Sequence, residues 1–195
     1  MSTDVAVVIL AGGEGARIGG EKPLRSLGGQ RLIDRALEQA RRWSKTIAIA
    51  VREDSQVEPV DAILIGDEPG VEGPLGGLIA GLKFARTAGC RSLLTIPSDM
   101  PFLPTDLLEQ LRRSVGGEGS ALASSGDHVH PVCGFWPSRS LDQIPDYVAS
   151  GRRSLKGFAQ MLGCVEVEWS AKPTDPFFNI NSVEDLAEAE WRIAG

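Results

Sequence analysis

Nothing long and apolar enough to cross a membrane appears in this sequence: no run approaches the ~20 residues a spanning helix needs. No membrane partner is therefore expected. The opening residues, MSTDVAVVILAGG, lack the basic stretch that begins a secretory signal, so their apolar run is expected to be a strand instead. Cysteine is scarce and odd in number. Cys90, Cys133 and Cys164 lie far apart and match neither a zinc spacing nor a disulfide framework. A reducing cytoplasm is the expected location. Basic excess is missing too: the net charge of −6 excludes a nucleic-acid partner. There is no internal repeat, no low-complexity segment and no dividing linker. Residues 1–195 are accordingly expected to form one domain, long enough to bury a good core.

What is plentiful is glycine, 23 residues, above the ~7% of average usage. Much of it sits in two stretches. The first, VAVVILAGGEGARIGGEK over residues 5–22, begins with six apolar residues rich in β-branched types. A short continuous run ended by glycine reads as a strand buried on both faces. Gly12, Gly13, Gly15, Gly19 and Gly20 follow, with the cations Arg17 and Lys22. Such a turn lets backbone N–H groups approach a phosphate, which any Cβ would keep away. Arg17 and Lys22 can neutralise the charge. A loose surface connection would also fit. Two familiar phosphate loops are excluded. Pro23 follows Lys22, so there is no G-x-x-x-x-G-K-[ST], and Ile18 stands where G-x-G-x-x-G needs its last glycine.

Further along, residues 32–43 carry apolar side chains at 32, 33, 36, 37, 40 and 43, which predicts a helix. Residues 46–51 and 62–65 read as strands. The second glycine stretch, GDEPGVEGPLGGLIAGL over 66–82, opens with Asp67 and Glu68 and leads into a helix to about residue 88. Its glycines suit a ligand lying against the backbone at a helix N-terminus, or simply close helix–sheet packing. Residues 92–96 predict another buried strand, running into PSDMPFLP. Asp99 then lies just past a strand end, where open α/β sheets bind ligands. Pro97 and Pro101 restrain its loop. A carboxylate held there suits Mg²⁺, which takes one or two carboxylates plus phosphates and water; a plain turn is the alternative.

Helices are expected over 105–113, 141–148 and from about Gly151 to 162, and strands over 121–124, 132–136 and 165–169. His128 and His130 lack a third metal ligand at a convincing spacing and are read as turn and strand-start hydrogen-bonders. Arg152 and Arg153 at a helix start oppose the helix dipole, which hints at an anionic partner, although a solvated basic turn would serve. Asn179 and Asn181 alternate with Phe178 and Ile180, so both amides should share one face of an extended segment. Ser182 and Asp185 resemble a capping box that starts a last helix near Val183.

Strands alternating with helices predict a three-layer α/β/α sandwich of Rossmann-like type with a mostly parallel mixed sheet. The departures from parallel order should be residues 62–65 and the strand pair around Val132. The glycine loop, Asp67, Asp99 and the two asparagines all follow predicted strands and should converge. Together they suggest a nucleoside triphosphate with Mg²⁺ and a nucleotidyl transfer.

The motifs L-A-G-G-x-x-x-R-[MIF]-G-G-x-K (residues 10–22), G-P-L-[AG]-G (73–77), P-x-D-x-P (97–101), H-P (130–131) and N-x-N-[ST]-x-x-[DE]-L (179–186) stand in order along nearly the whole chain. In this the chain resembles the molybdenum cofactor guanylyltransferases. The resemblance implies transfer of GMP from GTP to the terminal phosphate of molybdopterin, with release of pyrophosphate. It implies that Leu10, Ala11, Gly12 and Gly13 meet the nucleotide, with Asp67, Gly73, Pro74 and Leu75. Lys22 and Arg17 would stabilise the triphosphate, and Asp99 would hold Mg²⁺. Arg152, Arg153, Asn179 and Asn181 would face the acceptor. Molybdenum-insertion proteins and molybdoenzyme chaperones would be the transient partners. Two departures stand out: Glu21 replaces the usual aspartate before the lysine, and VRED at 51–54 offers no asparagine after the strand. A cytidylyltransferase and a non-catalytic nucleotide-binding regulator are the alternatives.

Overall fold

The structure, a computed structural model, describes residues 4–12, 22–53, 56–57 and 59–194. In chain order its strands and α-helices are β1 (Val5–Leu10), β2 (Ser26–Leu27), β3 (Gln30–Arg31), α1 (Leu32–Trp43), β4 (Ile47–Val51), β5 (Ile63–Gly66), α2 (Pro74–Thr87) and β6 (Ser92–Pro97). Then come α3 (Leu107–Ser114), β7 (Ala121–Ser125), β8 (His128–Pro137), α4 (Ile144–Ala149), α5 (Leu155–Met161), β9 (Val165–Trp169) and α6 (Val183–Ala194).

The first strand behaves as its composition dictates. Val5, Val7 and Ile9 enter one core, with Ile33, Leu37 and Trp43 of α1. Ala6 and Val8 enter a second core on the opposite face, with Leu75, Leu78 and Leu82 of α2. Both cores are sealed, which is why the run carries no polar alternation. Seven strands form one sheet in the order β5-β4-β1-β6-β8-β7-β9, with helices on both faces. The expected sandwich is therefore present, but one departure falls elsewhere. β5 pairs parallel with β4, and β8 is the strand that runs antiparallel to both its neighbours. β8 is also longer than the predicted 132–136. Its Pro131 falls between His130, paired with Ala123, and Gly134, paired with Leu122, where the register shifts. A bulge tolerates the missing N–H and re-aims the residues beside it. The predicted helix over 141–148 is split into a 3₁₀ turn, Ser138–Gln143, and α4, because Pro145 belongs in a first turn rather than a helix interior.

The glycines of α2 decide how near this helix lies to the sheet. A Cβ on Gly81 would come within 3.0 Å of Leu93 and 3.3 Å of Val8; one on Gly77 would come within 2.8 Å of Leu10. Ala48 and Ala50 lie beneath in the same core. Small residues on both sides thus let the helix settle on the strand ends of β1 and β4. The alternative reading of the second glycine stretch, close helix–sheet packing, is realised.

A small third core anchors the C-terminal segment. Ile180 and Ala189 pack with Leu27 and Leu32, and Gly28 Nα donates to Glu190 Oε1 at 2.8 Å. The β2–β3 hairpin that receives α6 turns on Gly28 and Gly29, both at positive φ. Ser182 Oγ accepts from Asp185 N and Asp185 Oδ2 accepts from Ser182 N, so the expected capping box forms at the start of α6.

Gly76→Ala tests this geometry. Its Cβ would lie 2.7 Å from the carbonyl oxygen of Val71, a backbone atom that cannot swing aside. The gain in helix propensity is about 1 kcal/mol, whereas such overpacking costs about 1–3 kcal/mol. A net loss in urea denaturation is expected; a more stable variant would show the loop–helix contact to be loose.

Candidate active site

The strand ladder continues past the strand ends and fixes the loops that build the site. Ala11 N donates to Ala50 O and Asp67 N to Val51 O, both at 2.9 Å, and Ser98 N reaches Leu10 O at 3.4 Å. Since β1 pairs with β4 on one side and β6 on the other, these loops part at a topological switch point. A cleft opens there. Leu10, Ala11 and Gly12 form its floor, the α2 N-terminus one wall (Gly73, Pro74, Gly77), and Lys22, Asp99 and Asn179 its far end.

At that far end Lys22 is 9% exposed. Its Nζ lies 2.5 Å from Asp99 Oδ2, 2.7 Å from Asn181 Oδ1 and 3.4 Å from Asn179 Oδ1. Ile180 N also donates to the Asp99 carbonyl at 3.0 Å, binding the two loops directly. The predicted sharing of one face by the two amides is seen, but both oxygens turn to the lysine. Asp99 Oδ1 is buried and has no hydrogen-bond partner among the described residues. A buried carboxylate oxygen in that state has unused capacity to accept a further donor or an ion.

At the other end stands Asp67. Its Oδ2 would lie 2.8 Å from a Cβ on Gly12, and its Oδ1 would lie 3.2 Å from one on Gly77. Two glycines therefore make room for this carboxylate. Its Oδ1 is likewise buried and unpartnered among the described residues. Burial raises the Asp67 pKa above its ordinary value, and the Arg52 charge opposes that rise. Arg52 lines the cleft here, at the end of β4. Sequence reasoning passed over it because it looked for an asparagine. Its position straight after a buried strand, like those of Asp67 and Asp99, was the available signal. Val132 also lines the cleft, beside the β8 bulge; Pro131 next to it was the available sequence mark of that bulge.

Other expected residues lie elsewhere. Leu75 is fully buried in the second core, so its side chain meets no nucleotide. Arg152 and Arg153 do not line the cleft. Arg153 Nη1 donates to Val148 O at 2.8 Å, and Arg152 stacks on Tyr147 with its guanidinium 4.8 Å from the ring centre. Their placement at a helix start is explained locally: these cations serve the C-terminal end of α4, the end that favours them, and Ser154 caps α5. Gly13, Arg17 and Glu21 lie outside the described residues. His130 accepts or donates at Ser125 Oγ, 2.8 Å from its Nε2, and stacks on Phe177; burial lowers its pKa.

The MobA-like NTP transferase domain matches residues 7–165. The chain belongs to this family. A relative from Cereibacter sphaeroides, a molybdenum cofactor guanylyltransferase, is 37% identical over 94% of both chains. Another of that name, from a Bradyrhizobium species, is 34% identical over 97% of this chain and 93% of its own. The crystal structure of molybdopterin-guanine dinucleotide biosynthesis protein A from Archaeoglobus fulgidus superposes with a TM-score of 0.77 at 26% identity, covering 97% of this chain and 98% of that one. The fold class is thus the Rossmann-like nucleotidyltransferase fold, and the chain is a nucleotidyltransferase.

Asp67 gives a pH-dependent prediction. A raised carboxyl pKa means that ionisation costs more in the folded protein than in the unfolded one. Asp67→Asn removes that cost. The variant should melt at a higher temperature than the native protein at pH 7. The advantage should shrink as the pH falls through the raised value and vanish below the ordinary carboxylate range. A thermal denaturation series from pH 7 to pH 3 checks this, and an advantage independent of pH would assign the effect to packing instead.

Proposed function

We propose that this protein transfers GMP from GTP to the terminal phosphate of molybdopterin, forming the guanine dinucleotide and releasing pyrophosphate. One observation carries the chemistry: a lysine ammonium and an aspartate in contact at the switch point, with the second aspartate oxygen buried and unpartnered among the described residues. The guanylyl and pterin identities come from the relatives that bear that name.

The two ends of the cleft suit different parts of GTP. Asp67 would repel phosphate, so its unpartnered oxygen favours N–H or O–H donors of the nucleoside. Arg52 beside it keeps the pair near neutral. The α2 N-terminus, opening on Gly73 and Pro74 with no acidic side chain in its first turn, turns its positive end to the cleft. Lys22 supplies a full positive charge for the phosphates. Gly12 leaves the backbone accessible between the two ends.

Among the described residues no cluster of three or more His, Cys, Asp or Glu side chains could hold a metal. A single carboxylate with a free oxygen still fits Mg²⁺, which keeps several waters and binds through substrate phosphates. Asp99 Oδ1 would be that ligand, and the ion would offset negative charge on phosphate oxygens. The acceptor is already anionic, so no side-chain nucleophile is required. An acceptor phosphate oxygen forms its bond to the α-phosphorus while the bond to the bridging oxygen breaks, and pyrophosphate leaves with that electron pair. The chain's contribution is placement and fixed charge. Transient contacts with molybdenum-insertion proteins and molybdoenzyme chaperones complete the reading.

Pyrophosphate release by the purified protein, with Mg²⁺ and molybdenum cofactor, tests it. GTP should support turnover at least tenfold better than CTP. Preference for CTP would overturn the guanylyl assignment, and tight GTP binding without turnover would favour a regulatory protein. Asp99→Asn, which keeps the shape, should reduce turnover about a hundredfold or more, comparable to losing one preorganised electrostatic group. Unchanged turnover would remove Asp99 from the chemistry.

A further inference from the structure

The resemblance assigns Asn179 and Asn181 to the acceptor, but their amide oxygens are directed elsewhere. We propose that Asn181, assisted by Asn179, is a positioning residue that holds the Lys22 ammonium in place; this rests on the nucleotidyl-transfer reading of the same site. An ammonium has three donors and no acceptor. Among the described residues its neighbours within hydrogen-bond reach are Asp99 Oδ2 at 2.5 Å, Asn181 Oδ1 at 2.7 Å and Asn179 Oδ1 at 3.4 Å. Asp99 is also the group that Mg²⁺ would share. A lysine relying on Asp99 alone would lose its fixed partner once that carboxylate served the metal and the phosphates. Asn181 offers a neutral acceptor that no cation competes for so strongly, and so keeps Nζ at the phosphate end of the cleft.

The segment is built to hold its amides still. Ile180, between them, is fully buried with Leu27, Leu32 and Ala189. Its N–H donates to the Asp99 carbonyl at 3.0 Å. On the far side, Asn181 N and Ser182 N both donate to Asp185 Oδ2, at 2.8 and 2.9 Å. Extended alternation then turns residues 179 and 181 to the side away from Ile180, where the ammonium lies. The contact spans 159 residues of sequence, so the lysine that follows the glycine loop is steadied by the last segment of the chain.

Asn181→Ala removes the side-chain oxygen and keeps the backbone N–H that caps α6. Two measurements test the proposal. The first, on nucleotide-free protein, is the rate of reductive methylation of Lys22 read by peptide mass spectrometry. It should rise several-fold in Asn181→Ala, and an unchanged rate would overturn the proposal. The second is a double-mutant cycle on binding of a fluorescent GTP analogue with Mg²⁺ and no acceptor present. Asn181→Ala should weaken binding about tenfold in the native background, as expected for a hydrogen bond to a charged group. In a Lys22→Ala background it should change binding less than about twofold, because the two act as one unit. Equal losses in both backgrounds, or a loss seen only in the KM for the acceptor, would return Asn181 to direct substrate contact. If the native protein binds no GTP, the proposed function fails, while the methylation rate still decides the role of Asn181.

Discussion

The closeness of α2 to the sheet is the constraint on which the nucleotide end of the site depends. Gly77 and Gly81 present no side chain to the sheet, and Ala48 and Ala50 answer them from below. If the helix were displaced by the thickness of a methyl group, its N-terminus would no longer form the cleft wall above Gly12. Asp67 would also lose its packing against the helix, since its carboxylate oxygens lie 2.8 and 3.2 Å from where Cβ atoms on Gly12 and Gly77 would be. These glycines are therefore functional through their packing. They need not touch a ligand to set where it lies.

Two carboxylates then face one cleft from unlike surroundings, and the difference divides their work. Asp99 has a lysine on one oxygen. That charge makes it suited to the phosphate and cation end, where further positive charge is welcome. Asp67 has a buried environment and an arginine acting at longer reach, with the burial prevailing. A carboxylate whose ionised form is disfavoured gains most from ligand N–H or O–H donors. On the proposed function, the same residue type serves opposite ends of a nucleotide because its environment differs. The cost is local instability, of the kind functional sites commonly carry.

The chain's architecture was readable where a residue's neighbours in sequence are also its neighbours in space. The six apolar residues of β1, the helical stripe of α1 and the capping box of α6 are local patterns and appear in the structure as expected. Asp67 and Asp99 could be found because parallel strand ends converge whatever their order. Pairing direction was harder. Nothing local tells β5 from β8, since parallel or antiparallel pairing is decided by where the connection returns. Side-chain destination was harder still. Arg152 and Arg153 look misplaced against α5 only until α4 supplies the Tyr147 ring for one and the Val148 carbonyl for the other, and Leu75 sits in a nucleotide motif yet fills the core. Arg52 escaped notice because a motif was sought in place of a position.

The pairing of Lys22 with the tail shows why the site could not be complete from the first half of the chain. Lys22 lies at the cleft, but its own stem sets no direction for the ammonium, because four carbons have many rotamers. Only a rigid acceptor can select one, and among the described residues the strand-end carboxylate within its reach is Asp99, which has other duties. The acceptor comes instead from a segment after the last strand, pinned by a buried isoleucine, a backbone hydrogen bond to Asp99 and the Asp185 carboxylate. Such a clamp is economical, because each added contact restrains an element already anchored by α6 and the β2–β3 hairpin. It also ties packing to the site: the small core of Ile180, Leu27, Leu32 and Ala189 holds the segment that aims the lysine. Loosening that core would weaken the site without altering any residue that lines it, which makes the C-terminal segment a structural part of the nucleotide site rather than an appendage to it.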